Sequence, residues 1–118
     1  MGTFKVQIQV GDQAGQTFES LEALVDTGST YTVIPAATLR RLGVTAHRKS
    51  VFEFADGSRQ EWDMGRTWVR LDGQSEQTLV VFGADEVEPI LGAVTMEEFL
   101  VAPDPIHGVL KPVNGLLM

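Results

Sequence analysis

The chain has 118 residues, of which 43% are hydrophobic and 21% charged, with no cysteine and a formal net charge of −7. This length and composition predict one globular domain over residues 1–118, and the lack of cysteine excludes disulfides, zinc–thiolate sites and thiol nucleophiles. The negative charge argues against a nucleic-acid partner, because phosphate binding needs concentrated Lys and Arg.

No stretch of the sequence carries a membrane or targeting signal. No apolar run approaches the length of a membrane span, and no charged and then apolar leader opens the chain. We therefore expect no membrane association and a cytoplasmic location, to which the lack of cysteine adds weak support.

The first part of the chain predicts a β-hairpin and a short helix. Apolar and polar residues alternate over residues 4–10, which is the period of a half-buried strand. Residues 11–15 supply turn chemistry, and residues 16–25 predict a second extended segment. Residues 35–43 have Pro near the first turn, Arg near the last and Gly just beyond, which predicts a helix of about two turns.

Two further hairpins follow, and each has an Asp–Gly pair at its turn. Asp–Gly between extended segments is a strong signal for a tight turn. The predicted pairs are residues 51–54 with 59–64 around Asp56–Gly57, and residues 67–71 with 78–82 around Asp72–Gly73.

A second helix and a last strand are predicted near the end of the chain. Thr95 and Glu98 have capping-box spacing, and Pro103 is expected to stop the short helix that they begin. Residues 106–113 predict the last strand. Many short strands at near-regular spacing, with two brief helices, predict a small all-β sandwich or barrel.

The two tryptophans and the two histidines have ordinary interpretations. Trp62 and Trp68 flank Gly65, where we expect a bend, and packing in the core or beneath a hairpin is favoured over ligand stacking. His47 and His107 lie far apart without clustered ligand residues, so we expect no metal and no cofactor.

One carboxylate stands out by its sequence context. Within Ala-Leu-Val-Asp-Thr-Gly-Ser-Thr, residues 23–30, Asp26 follows three apolar residues and precedes a glycine turn. An Asp–Thr–Gly triplet alone is also an ordinary turn sequence. An apolar strand directly before it, however, places the carboxylate where packing fixes its position, as an acid or base catalyst requires.

Residues 24–29 resemble the active-site motif of pepsin-like and retropepsin-like aspartic peptidases. A second signature of that group, an apolar pair followed by glycine, is matched by Ile90, Leu91 and Gly92, and a short helix follows it as in the family. Between the two signatures lies the hairpin tip where the family has its substrate-covering flap, here Phe54, Ala55, Asp56 and Gly57. The order of motifs covers nearly the whole chain and implies an all-β fold, a small closed β-barrel of the retropepsin type with one or two short helices.

The resemblance implies an aspartic endopeptidase that acts as a homodimer. Pepsin-like enzymes carry two such motifs and this chain carries one, so one Asp26 from each subunit would activate a water between two carboxylates. The substrate would be an extended peptide or protein. Thr27 is implied to join the two active-site loops across the interface, with Gly28 and Ser29 supporting the loop.

Two departures from the family pattern leave an alternative open. Ala93 and Val94 follow Gly92 in place of the Arg that helps to brace retropepsin dimers, and the flap tip has the single glycine Gly57. The alternative is a catalytically silent dimerisation or peptide-binding module with the same fold. The apolar end, residues 115–118, is a candidate interface, because terminal strands of the two subunits interleave in retropepsins.

Overall fold

Strands account for about half of the chain and are its main secondary structure, as its alternating β-branched and aromatic residues predict. The computed structural model describes residues 3–117. Its elements are, in chain order, β1 (Lys5–Gly11), β2 (Phe18–Val25), β3 (Thr32–Pro35), α1 (Ala36–Arg41), β4 (Arg48–Glu53), β5 (Arg59–Leu71), β6 (Gln74–Gly83), β7 (Ile90–Leu91), α2 (Ala93–Glu98), β8 (Val101–Asp104) and β9 (Val109–Pro112).

Six of the strands close into a hydrogen-bonded ring. The order is β1-β2-β7-β3-β6-β5, and β5 returns to β1 through the pairs Gln9–Arg70 and Val10–Val69. Most neighbours are antiparallel, but β2 runs parallel to β7 and β3 parallel to β6. β4 extends the sheet beyond β5, and β8 with β9 forms a separate two-stranded sheet. The prediction of an all-β fold with two short helices is confirmed.

The main hydrophobic core draws side chains from strands all around the ring and from both helices. In β1 the alternation selects them, since Ile8 and Val10 are buried whereas Gln7 is exposed. In β6, residues 78–83 are all buried, as expected of a strand that is covered on both faces. The buried members of this core are Ile8, Val10, Ala23, Val25, Ile34, Leu39, Val44, Val69, Leu71, Val80, Phe82, Leu91, Met96 and Phe99.

The bend predicted at Gly65 is wrong, because β5 runs unbroken for 13 residues. Gly65 pairs with Val80 in the middle of the strand. A Cβ at this position would lie 2.8 Å from the Thr45 carbonyl oxygen. The glycine therefore permits a neighbouring segment to cross closely, which sequence patterns confuse with a break in the strand.

The second helix begins earlier than the predicted capping box. Gly92 is its N-cap, and Thr95 lies inside the helix with a buried side chain. The helix ends at Glu98 without help from Pro103, which lies in β8; Leu100 instead adopts φ 54°, a left-handed residue that ends the helical path. The predicted last strand is shorter than residues 106–113 and is β9. Neither helix in the described part of the chain has the length and apolar character needed to cross a membrane.

Candidate active site

Asp26 follows β2 directly and is anchored to a neighbouring strand by its backbone. The preceding Val25 is 5% exposed and pairs with Leu91 of β7. The Asp26 N–H donates to the Leu91 carbonyl over 3.1 Å. A buried strand end therefore fixes the Cα of a half-buried carboxylic acid.

The loop after Asp26 folds back onto its carboxylate. The Gly28 N–H donates to Asp26 Oδ1 over 2.9 Å, and the Ser29 N–H donates to the Asp26 carbonyl over 3.2 Å. A Cβ on Gly28 would lie 3.1 Å from the same Oδ1, so glycine permits this close approach. Within residues 3–117, Asp26 Oδ2 has no hydrogen-bond partner and stays available to a ligand.

The second sequence signature lies against this loop. The Ala93 N–H donates to the Ser29 carbonyl over 2.8 Å, and the Val94 N–H donates to the Thr30 carbonyl over 2.9 Å. Gly92 is packed so tightly that a Cβ would lie 2.4 Å from the Tyr31 carbonyl carbon and oxygen. The structure thus brings together the two segments that the sequence singled out.

A cavity of about 470 Å³ opens beside Asp26. Its walls are mostly apolar, and Tyr31 and Phe52 meet edge to face in it with ring centroids 6.1 Å apart. Asp26 and Glu53 are the only charged residues among those that line it. The lining residues are Asp26, Gly28, Ser29, Thr30, Tyr31, Val33, Phe52, Glu53, Phe54, Ala55, Trp62, Val81, Gly83, Ala84, Val87 and Ile90.

The predicted site residues divide into those that reach the cavity and those that do not. Gly28, Ser29 and Ile90 line it with Asp26, and so do Phe54 and Ala55 from the flap (residues 54–57). Asp56 and Gly57 form the flap tip outside the lining. Leu91 and Gly92 are buried behind the loop, and the Thr27 side chain is exposed.

The flap tip is held by a compact turn. The Phe54 N–H donates to the Ser58 carbonyl over 2.8 Å, and Gly57 has φ +84°, which favours glycine. Asp56 Oδ1 accepts from the Ser58 hydroxyl over 2.6 Å and from the Ser58 N–H over 2.9 Å. Both bonds lower the pKa of Asp56, the hydroxyl more than the N–H. Because the folded pKa is lowered, this stabilisation is present above the ordinary value of 3.8 and is lost as pH falls through the lowered one.

Ser58→Ala should raise the pKa of Asp56 towards 3.8, since the substitution removes the hydroxyl that lowers it most. An NMR titration of the Asp56 carboxyl carbon measures the change. Asp12 is an internal control, because the Gln16 N–H lowers its pKa and is untouched by the substitution. An Asp56 pKa that does not move would contradict the assigned role of the hydroxyl.

Three threonines behind the active-site loop were not predicted as residues of the site. Thr32, Thr78 and Thr95 are each 0% exposed and their hydroxyls are linked by hydrogen bonds. The one sequence signal was a hydroxyl residue at core-facing positions of otherwise apolar segments. Among residues 3–117 no cluster of three His, Cys, Asp or Glu side chains could hold a metal; His107 instead contacts Asp104 at 2.7 Å.

Comparison with known proteins places this geometry in a family context. A family model described as aspartyl protease matches residues 6–110. No match was found among curated proteins. The protease of EIAV, solved with the inhibitor HBY-793, is 21% identical with a TM-score of 0.57, covering 80% of this chain and 86% of that one.

Two more solved structures have the same fold. The simian foamy virus (mac) protease is 15% identical with a TM-score of 0.58, covering 84% of this chain and 98% of that one. The retroviral protease-like domain of Ddi1 from Leishmania major is 20% identical with a TM-score of 0.61, covering 97% and 90% respectively. At these identities the likeness concerns the fold.

Proposed function

This chain belongs to the aspartyl protease family, and from that premise we propose that it is an endopeptidase that acts as a homodimer, with one Asp26 from each subunit in a shared catalytic site. The observation that carries the proposal is that Asp26 and the flap residues Phe54 and Ala55 line one cavity. A carboxylate facing a covered, largely apolar cleft suits peptide hydrolysis.

Within residues 3–117, Asp26 is the one carboxylate in the cavity lining that forms no ion pair, since Glu53, the other acid there, pairs with Arg59 at 3.3 Å. This is the argument for two chains. The other Asp–Gly pairs, Asp56–Gly57 and Asp72–Gly73, lie in turns between antiparallel strands and outside the cavity lining. Activation of the water and protonation of the carbonyl oxygen under attack need both a base and an acid. A two-fold axis beside Asp26 would provide the second group.

The proposed chemistry follows from two carboxylates in contact. Both cannot be charged at short distance, so the pair shares one proton; aspartic peptidases are themselves the standard example of this effect. The ionised member takes a proton from water as it attacks the amide carbon, and the protonated member donates to the carbonyl oxygen. The C–N bond of this tetrahedral intermediate then breaks as the pair protonates the leaving nitrogen and one hydroxyl returns a proton to the pair, which releases the amine and restores the shared proton. The titration belongs to the pair, so neither Asp26 is permanently the acid.

The remaining site residues have supporting roles in this proposal. The exposed Thr27 would hydrogen-bond across the two-fold axis, and Gly28 with Ser29 would hold the Asp26 loop. An extended peptide would lie between the flap and the cavity floor in the manner of an added strand. The apolar walls favour apolar substrate side chains next to the cleaved bond.

The C-terminal segment is the surface we propose for the dimer. Of the nine large hydrophobic residues that are exposed within residues 3–117, six fall in residues 100–117: Leu100, Ile106, Val109, Val113, Leu116 and Leu117. In addition, among the described residues β8 and β9 pair only with each other, so the outer edges of this two-stranded sheet are open. Exposed apolar side chains that cluster beside open strand edges are suited to a symmetric interface with a second copy of the chain.

Replacing Leu116 and Leu117 together by Ser should raise the dimer Kd at least about 100-fold. The two side chains are 91% and 100% exposed in one chain, and burying each in an interface is worth roughly 1.5–3 kcal/mol. Sedimentation over a range of concentrations measures Kd. The matched control is Val51→Ser, which removes an apolar residue that is 63% exposed on β4; equal dimerisation of both variants would rule out this surface.

A peptide-library cleavage assay from about pH 3 to about pH 7, run beside sedimentation, tests the function itself. Cleavage by a dimer supports the proposal. A strict monomer at every concentration would rule out the two-carboxylate mechanism. A stable dimer that binds peptides without cleaving them would favour the silent binding module.

A further inference from the structure

Three buried threonine hydroxyls form a chain behind the Asp26 loop. They come from three elements, Thr32 from β3, Thr78 from β6 and Thr95 from α2. Thr32 Oγ1 lies 2.6 Å from Thr95 Oγ1, which lies 2.9 Å from Thr78 Oγ1. The hydroxyl chain therefore crosses the interior where two strands and a helix meet.

Each end of the hydroxyl chain has a defined partner. At the inner end the Gly92 N–H donates to Thr32 Oγ1 over 3.1 Å. At the outer end Thr78 Oγ1 lies 2.5 Å from Glu98 Oε1, the short distance of a hydroxyl–carboxylate bond. Glu98 lies on the exposed face of α2 but takes part in no ion pair within residues 3–117.

Glu98 determines the direction of every bond in the hydroxyl chain. A carboxylate only accepts hydrogen bonds, and a threonine hydroxyl has one proton to donate. Thr78 must therefore donate to Glu98, which leaves Thr95 to donate to Thr78 and Thr32 to donate to Thr95. The Thr32 oxygen is then left with lone pairs, which suit the Gly92 N–H.

One peptide plane connects the hydroxyl chain to Asp26. The Gly92 N–H and the Leu91 carbonyl belong to the same planar unit. The N–H is bound by Thr32, and the carbonyl accepts from the Asp26 N–H over 3.1 Å. A tilt of this plane would therefore displace the backbone of Asp26.

We propose that Glu98 is a positioning residue, which orients the threonine hydroxyl chain and thereby holds the Leu91–Gly92 peptide plane against Asp26. This inference rests on the proposed peptidase function for its catalytic consequence. Its structural half, the restraint of the Gly92 amide by a carboxylate at the surface of α2, is measurable without any substrate.

Glu98→Ala should lower kcat about tenfold while KM stays within about twofold, because misplacing a catalytic group affects the transition state more than substrate binding. The Gly92 amide should exchange with solvent faster by about the same factor. Glu98→Gln should recover most of both losses, since the amide oxygen still accepts from Thr78. Glu97→Ala is the matched control, with the same charge change on the same helix and no bond to the hydroxyl chain.

A second variant tests whether the effect passes through the hydroxyl chain. Thr95→Val interrupts the chain at its middle, and Thr95→Ser keeps the hydroxyl. The Thr95→Val protein and the Thr95→Val, Glu98→Ala double variant should have equal kcat, since residues acting through one network are not additive. Additive losses would overturn the inference.

The outcomes separate this inference from the proposed function. If the wild-type protein cleaves no peptide, the proposed function fails. Hydrogen exchange of the Gly92 amide in Glu98→Ala still tests whether Glu98 restrains that amide. If the wild type cleaves and Glu98→Ala leaves both kcat and Gly92 exchange unchanged, the inference fails alone. A fall in thermal stability with unchanged kcat per folded molecule would also overturn it.

Discussion

Asp26→Asn should abolish peptide cleavage, with kcat/KM falling at least about 1,000-fold. Asparagine has nearly the same shape, and its Oδ1 can still accept from the Gly28 N–H, so the loop should keep its fold. The amide, however, can neither take a proton from water nor give one to a carbonyl oxygen. Peptide-library cleavage at a fixed dimer concentration measures the loss.

Asp72→Asn is the matched control for this prediction. Asp72 also precedes a glycine, but it lies in the turn between β5 and β6 with φ 49°, a conformation that asparagine tolerates. Its variant should cleave as the wild type does. Wild-type rates in Asp26→Asn would remove Asp26 from the mechanism.

Mixing wild-type and Asp26→Asn subunits in equal amounts tests whether both acids are needed. Random assortment leaves about a quarter of the dimers with two wild-type chains. If the site needs both carboxylates, activity at constant total protein should fall to that fraction. Activity that falls only by half would mean that each subunit works alone.

Gly92→Ala should destabilise the protein by more than about 3 kcal/mol, which is large for a single methyl group. The added Cβ would meet the Tyr31 carbonyl carbon and oxygen at 2.4 Å, and these are backbone atoms that cannot rotate away. Removing this overlap would require the N-terminus of helix α2 to move away from the Asp26 loop. Urea denaturation measures the change in the free energy of unfolding.

Gly57→Ala is a useful comparison, since it isolates backbone strain from steric overlap. Apart from its two chain neighbours, no atom of residues 3–117 lies within 4 Å of a Cβ added at Gly57, but the φ of Gly57 is +84°. The cost should be about 1–2 kcal/mol, the ordinary penalty for a left-handed residue. Equal losses in the two variants would show that crowding at Gly92 is not what makes that position sensitive.

The sequence predicts hairpins and turns well, but it predicts poorly the contacts between segments that are distant along the chain. The hairpin of β1 and β2 and the Asp–Gly turns follow from alternation and turn chemistry, which act over a few residues. The short strands β3 and β7 were not predicted as strands, because their partners β6 and β2 are distant in sequence. Gly65 was interpreted as a bend for the same reason: the carbonyl that it accommodates belongs to another segment.

The candidate site likewise has a part that the sequence predicts and a part that it does not. Asp26 and Gly92 stood out because apolar residues precede each of them, and the fold brings their segments together. The threonine hydroxyl chain could not be predicted, since Thr32, Thr78 and Thr95 share no spacing and meet only in the folded chain. Thr95 and Glu98 did match a capping-box pattern, but both side chains bind Thr78 instead.

The unbroken strand β5 makes the β4–β5 hairpin, the arm that carries the flap over the cleft, a rigid extension of the protein interior. Its first residues, 59–63, pair only with β4, whereas residues 64–71 pair with β6, and Val69 and Leu71 lie in the core. With no break at Gly65 to act as a pivot, raising the arm must bend the strand along its length. A ligand that clamps the arm would therefore stiffen residues far beyond those it touches, including the far end of β5, where Val69 and Arg70 pair with β1.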